Sequence, residues 1–143
     1  MTPTPSQTVG PFFGFALPFE GDAIAAPDAV RVEGQVLDGA GEPVGDALLE
    51  ASHGGQFARC RTDGEGAFHF VIAKPEEGFL NIAVFARGLL RHLSTRMYFP
   101  GEPDDLLAAI EEKRRRTLVA RLDGDILRFD IRLQGEAETV FFA

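Results

Sequence analysis

The sequence predicts an all-β fold: an antiparallel β-sandwich with one short helix. Three observations point there. From Val30 onward the chain divides into short segments punctuated by Gly, Asp and Pro, the rhythm of hairpin-linked strands. Phe68, Phe70 and Ile72 alternate with His69 and Val71, and Leu127, Phe129, Ile131 and Leu133 alternate with Arg128, Asp130 and Arg132, so each run offers one apolar face to a core. Only the stretch 103–112 combines cap, charge and apolar-face signals of a helix. Seven or so strands and a single helix are best buried as two packed sheets.

Residues 1–29 read as an N-terminal arm, and 30–143 as one β-sandwich domain. Pro3, Pro5, Pro11, Pro18 and Pro27 each fix φ and remove a backbone donor, which rules out a regular element. Phe12, Phe13, Phe15 and Phe19 require cover from this domain or from another chain. The first strand is VRVEGQVLD, with Val30, Val32 and Val36 on one face and Gly34 interrupting it. GAGEPVG supplies a turn, Ala47–Ala51 a second strand and QFARCR a third. Thr62–Gly66 is a turn leading into AFHFVI.

NIAVFAR is a nearly continuous apolar strand; LLRHLSTRMYF, which periodicity alone would also allow as a helix, is read as its hairpin partner across Gly88, because Thr95, Tyr98 and Phe99 favour strands. In PDDLLAAIEE, Pro103 suits a first helical turn, Asp104 and Asp105 suit its positive end, and Leu106, Leu107 and Ile110 share a face. The basic run Lys113–Arg116 follows as a solvated cap complementing the helix dipole. TLVARL and ILRFDIRL form the closing strands, on either side of the turn DGD.

At 143 residues and 45% hydrophobic, the chain suits one core. With 14 Lys and Arg against 22 Asp and Glu, its formal charge is -8, which argues against a phosphate-backbone partner. No apolar run approaches the roughly 20 residues that span a bilayer. MTPTPSQTVG lacks both the basic start and the apolar centre of a secretion signal, so a soluble cytoplasmic protein is expected. Cys60 is the sole cysteine, which excludes an internal disulfide and any site needing several thiolates.

Few residues carry obvious chemistry. His53 is read on a glycine turn and His69 and His92 on two different strands, with no HxH or HExxH spacing, so each reads as structural. Cys60, in a predicted strand, reads as a buried, inert thiol. There is no nucleophile elbow, P-loop or dinucleotide fingerprint. Three segments stand out. SQTVGPF combines hydroxyl and amide groups with Gly10, which permits close backbone approach, and Pro11, which stiffens it. LSTRMYF places Arg96 beside Thr95 and the only tyrosine, Tyr98, and a strand arginine can clamp a carboxylate. The tail ends in Val140, Phe141 and Phe142, an apolar terminus that needs burial.

TPSQTVGPFF, VFARGLLRHLSTRMYF, RRRTLVARL and RFDIRLQGEAETVFF together resemble the alpha subunits of the protocatechuate 3,4-dioxygenases. VEGQVLDGAGEPVGDALLE is similar to the start shared by intradiol dioxygenases and transthyretin-like sandwiches. The resemblance implies intradiol cleavage of 3,4-dihydroxybenzoate by O2 to 3-carboxy-cis,cis-muconate, with a non-haem Fe(III) carried by a homologous beta subunit. It implies an αβ protomer within a larger hetero-oligomer, inactive as the alpha chain alone. Family iron is held by two tyrosines and two histidines, and this chain has one tyrosine. Phe79, Leu80 and Asn81 stand where the beta subunit's HxH pair would be. No catalytic or metal-binding residue is therefore assigned here.

By motif match, Thr8, Gly10 and Pro11 fall on the family's N-terminal cleft-lining residues and Arg96 on an arginine near the substrate pocket. Phe12 stands where alpha chains often have tyrosine, removing a hydroxyl. The chain is shorter than the family pattern, with connections trimmed around Gly54 and Gly78, and LEASHGG lacks the tryptophan usual there. The alternative reading is a stand-alone transthyretin-like binding or structural module.

Overall fold

The computed structural model describes residues 30–101, 104–135 and 138–142. Nine strands occur among the described residues: β1 (Val30–Leu37), β2 (Leu48–His53), β3 (Gln56–Arg61), β4 (Ala67–Ile72), β5 (Phe79–Phe85), β6 (Leu93–Tyr98), β7 (Arg121–Asp123), β8 (Ile126–Arg128) and β9 (Ile131–Arg132). Two one-turn helices, α1 (Asp105–Ala108) and α2 (Glu112–Arg115), and a 3-10 turn over Arg116–Leu118 separate β6 from β7. One sheet runs β4-β1-β8-β7, with β9 also on β1, and the other runs β3-β2-β5-β6.

The alternation read from sequence becomes the core. Val32 and Val36 of β1 and Phe68, Phe70 and Ile72 of β4 face Leu49 and Ala51 of β2, Ala58 and Cys60 of β3, and Leu80, Ile82 and Val84 of β5. Cys60 is buried there, and burial raises its thiol pKa, as expected of an inert side chain. Thr62, also buried, donates from Oγ1 to Val44 O (2.8 Å) and accepts from Ala47 N (3.0 Å). Its polar group is therefore satisfied where the chain passes between sheets.

β1 and β4 are antiparallel, but β8 and β9 both run parallel to β1. The expected sandwich is present, and the sheet built on β1 is mixed. The helical segment carries the chain from β6 in one sheet to β7 in the other, and the tight β7–β8 turn then lays β8 alongside β1 in parallel. ILRFDIRL is likewise two strands, not one. The break falls at Phe129 and Asp130, where Phe129 N donates to Glu33 O (2.9 Å) and Gln35 N donates to Asp130 Oδ1 (3.0 Å). A side-chain oxygen there replaces a ladder carbonyl. Gly34, which interrupts the apolar face of β1, lies opposite this break; a Cβ on it would stand 1.8 Å from Phe129 O.

Other boundaries also differ from the sequence reading. The long strand expected over 89–99 contracts to β6, because Ala86 O accepts from Leu89 N in a turn containing Gly88 at φ 88°. His92 therefore lies in a connection beside the Phe85 ring, at 5.2 Å, rather than on a strand. His53 ends β2 instead of sitting on the turn. The one helix expected becomes two single turns, and of its apolar face only Leu107 is buried while Leu106 is exposed. So short a helix cannot hold itself together in water; Leu107 packs instead with Phe79, Tyr98 and Leu118. The basic run forms α2, and Arg115 donates from Nη2 to Ala108 O (3.3 Å) and Ile110 O (2.9 Å), satisfying carbonyls at the C-terminal end of α1 and just beyond it. The first half of TLVARL is the 3-10 turn, leaving only β7 as strand.

The apolar tail is placed. Phe142 N donates to Ser94 O (2.7 Å) and Thr95 Oγ1 donates to Val140 O (2.7 Å), tying it to edge strand β6. No helix among the described residues is long and apolar enough to cross a membrane.

Candidate functional site

Arg96 lies on the outer face of the β3-β2-β5-β6 sheet. Strand spacing puts residues two apart on one face, so Arg96 and Tyr98 of β6 share it, opposite Asn81 and Phe79 of β5. The guanidinium carbon of Arg96 lies 4.0 Å from the Phe79 ring centroid, a cation–π stack. Nη1 donates to the Tyr98 hydroxyl at 3.1 Å and lies 3.6 Å from Asp104 Oδ2. The hydroxyl in turn donates to the Asp104 carboxylate, whose oxygens are both 3.1 Å away.

Asp104 has a second task. As N-cap of α1 it accepts from Leu107 N through Oδ1 at 2.8 Å, the usual satisfaction of a free helical N–H. Helix start, tyrosine and arginine are thus tied to one carboxylate. On its other side Phe79 stacks on the His53 ring at 4.5 Å, and His53 Nε2 is 2.9 Å from Glu77 Oε1. Burial, first, and the Asp104 carboxylate push the Tyr98 phenol pKa up, against the opposing influence of Arg96. Tyr98 therefore serves as a neutral hydrogen-bonding link rather than as a phenolate.

The arrangement leaves Arg96 held but not used up. Of five guanidinium N–H groups, only Nη1 has hydrogen-bond or ion-pair partners among the described residues. The side chain is 27% exposed, enough for a ligand to reach it. It borders a cleft of about 430 Å³ lined also by Glu50, Ser52, Asn81, Ser94, Phe57 and Phe142. Glu50 Oε2 is buried with no hydrogen-bond partner among the described residues, and burial raises its carboxyl pKa while Arg59 opposes the shift. The cleft offers one strong oxyanion donor, the Glu50 carboxyl, several neutral polar groups and two aromatic walls.

Of the residues singled out in sequence, Arg96 is placed on this cleft, while Thr8, Gly10 and Pro11 lie outside the described residues. Asp104 was read only as a helix-start acid; its partnership with Tyr98 and Arg96 was missed. The two-residue spacing of Arg96 and Tyr98 was the available signal for their half of the cluster. Nothing local in sequence could have brought Phe79 and His53 beside them.

The residues present do not fit a ferric site of the two-tyrosine, two-histidine kind. The sole tyrosine is bound to Asp104 and Arg96, and no group of three or more His, Cys, Asp or Glu able to hold a metal occurs among the described residues.

No protein-family model matches the chain. It is similar to the protocatechuate 3,4-dioxygenase alpha chain of Burkholderia cepacia, 37% identical over 97% of this chain and 96% of that one. The alpha chain of the Pseudomonas putida enzyme is likewise 37% identical over 97% and 95% of the two chains. The Burkholderia cepacia beta chain is 27% identical over 78% of this chain and 67% of its own. The aligned span with the first relative is 189 positions, more than the 143 residues here, so the relatives carry segments this chain lacks. In fold it matches a dioxygenase domain from Streptomyces sp. SirexAA-E (TM-score 0.62, 24% identity, 94% of this chain and 99% of that one). It also matches hydroxyquinol 1,2-dioxygenase from Pseudomonas putida (TM-score 0.60, 19% identity, 92% and 67%).

Proposed function

Because this chain belongs to the family of protocatechuate 3,4-dioxygenase alpha chains, we propose that it lines a substrate cleft completed by a beta chain that carries the iron. It is a subunit of an intradiol ring-cleavage dioxygenase. The substrate in this reading is 3,4-dihydroxybenzoate, opened with O2 to 3-carboxy-cis,cis-muconate. The observation that carries the reading is the posture of Arg96: flat on Phe79, held at Nη1 by Tyr98 and Asp104, with no partner for its remaining donors among the described residues.

A guanidinium held in this way suits an aryl carboxylate. Its forked donors match two carboxylate oxygens, and its orientation is set before substrate arrives, so little ordering entropy is lost on binding. Asp104 keeps the group in place while partly offsetting its charge, which favours a carboxylate presented in the right direction over any anion nearby. In this reading Thr8, Gly10 and Pro11 of the arm complete the wall, and the phenylalanines of the arm are covered on assembly with the beta chain. αβ protomers then build a larger hetero-oligomer.

The test is coexpression. The alpha chain purified alone is expected to hold no stoichiometric iron and to cleave no catechol acid; coexpressed with a beta chain it should copurify as a ferric complex that consumes O2 with 3,4-dihydroxybenzoate. Metal analysis and oxygen uptake read the two outcomes. Stoichiometric iron in the chain alone, or failure to copurify, contradicts the proposal.

A further inference from the structure

A second cleft lies between α2, the 3-10 turn and strands β7 to β9, and it shares no lining residue with the one beside Arg96. Six cationic side chains line it, Lys113, Arg114, Arg116, Arg121, Arg128 and Arg132, against the single carboxylate of Asp130. In a chain of formal charge -8 such a concentration opposes the overall field and costs self-repulsion unless an anion offsets it.

Among the described residues, carboxylates offset only Arg121 and Arg128 of the six. Asp130 accepts from Gln35 N and lies 3.7 Å from both Arg121 Nη2 and Arg128 Nη2. Arg128 also lies 3.8 Å from Glu33 Oε1. Lys113, Arg116 and Arg132 have no ion-pair partner among the described residues. Arg114 donates from Nη2 to Glu138 O at 3.3 Å, yet its Nε is buried without a hydrogen bond among the described residues. The arginines come from separate elements, so the cluster is made by the fold, not by the Lys113–Arg116 run alone.

We propose that this cleft is a binding site for a small multivalent oxyanion, held by Lys113, Arg116 and Arg132 beside the paired Arg121 and Arg128. Guanidinium forks from several directions match the oxygens of a polyphosphate or polycarboxylate. The volume, about 350 Å³, falls at the small end of the ~300–1,000 Å³ typical of small-molecule sites, which favours a compact anion over a polypeptide segment. The site stands apart from the ring-cleavage reading and does not depend on it.

Calorimetric titration of the full chain with inorganic tripolyphosphate and, separately, with citrate tests it. Saturable binding of one anion per chain is expected, weakening as salt is raised. The tighter of the two ligands identifies phosphate or carboxylate as the preferred chemistry. Arg116→Gln combined with Arg132→Gln should weaken binding about tenfold or more, whereas Arg91→Gln, exposed and outside the cleft, should leave it unchanged. If the double variant does not fold, the exposed Lys113→Gln alone should weaken binding about threefold. Absence of saturable binding, or wild-type affinity in the variants that fold, overturns the site. Tighter capture of an oligoglutamate peptide than of either small anion would also overturn it, by assigning the cleft to an acidic polypeptide.

Discussion

Gly34→Ala is expected to cost about 3 kcal/mol of folding stability and to lower Tm by roughly 10 °C. The added Cβ would meet Phe129 O at 1.8 Å, Phe129 C at 2.7 Å and Phe68 Cζ at 2.8 Å. The phenylalanine ring could turn aside, but the carbonyl cannot. Phe129 N is bonded to Glu33 O and Asp130 Oδ1 to Gln35 N, so the two chains are fastened on either side of Gly34. Relief requires parting β1 from the segment between β8 and β9. The gain from a stiffer unfolded chain, about 0.4–1 kcal/mol for Gly to Ala, is too small to compensate. Gly64→Ala is the matched control, since no neighbouring atom lies within 4 Å of its added Cβ, and it should be neutral or slightly stabilising. Thermal melts of the two variants decide the matter; if they coincide, the close approach does not limit stability.

The second large effect concerns selectivity. In the complex with a beta chain, Arg96→Ala should reduce the preference for 3,4-dihydroxybenzoate over unsubstituted catechol by about 10- to 100-fold. That is the kinetic equivalent of the roughly 1.5–3 kcal/mol carried by hydrogen bonds to a charged group. The change should fall on the carboxylated substrate and leave catechol nearly untouched, because only the former presents an anion to the guanidinium. Arg96→Lys keeps the charge but gives up the fork and the flat stack on Phe79, so it should recover only part of the preference. Measuring kcat/KM for both substrates in the three proteins is sufficient. Unchanged selectivity in Arg96→Ala would return this arginine to a packing role on Phe79 and Tyr98.

Much of the architecture was readable along the chain. β3 and β4 match their segments residue for residue, and the alternation from Leu127 to Leu133 survives as buried Leu127, Phe129 and Ile131 even though the backbone breaks between β8 and β9. Periodicity reports which face is apolar, and that is a local property. It says nothing about which strand lies alongside, so the parallel pairing of β8 and β9 with β1 was not visible. The helix was over-read for a related reason. Capping residues and an apolar stripe mark where a helix can start, but its length here is set by where Leu107 and Leu118 pack against Phe79 and Tyr98.

The site divides in the same way. Sequence alone determined part of the chemistry: with one tyrosine and one cysteine the chain cannot build a two-tyrosine metal site or an internal disulfide, because side-chain inventory does not depend on the fold. Tertiary structure decided which of those groups act together. It joined Arg96 to Asp104 and Phe79 at one sheet face, and it gathered Arg121, Arg128 and Arg132 beside a basic run that looked like a solvated cap. Electrostatic and hydrogen-bond energies act over a few ångströms in space, and that distance comes from strand pairing rather than from separation along the chain.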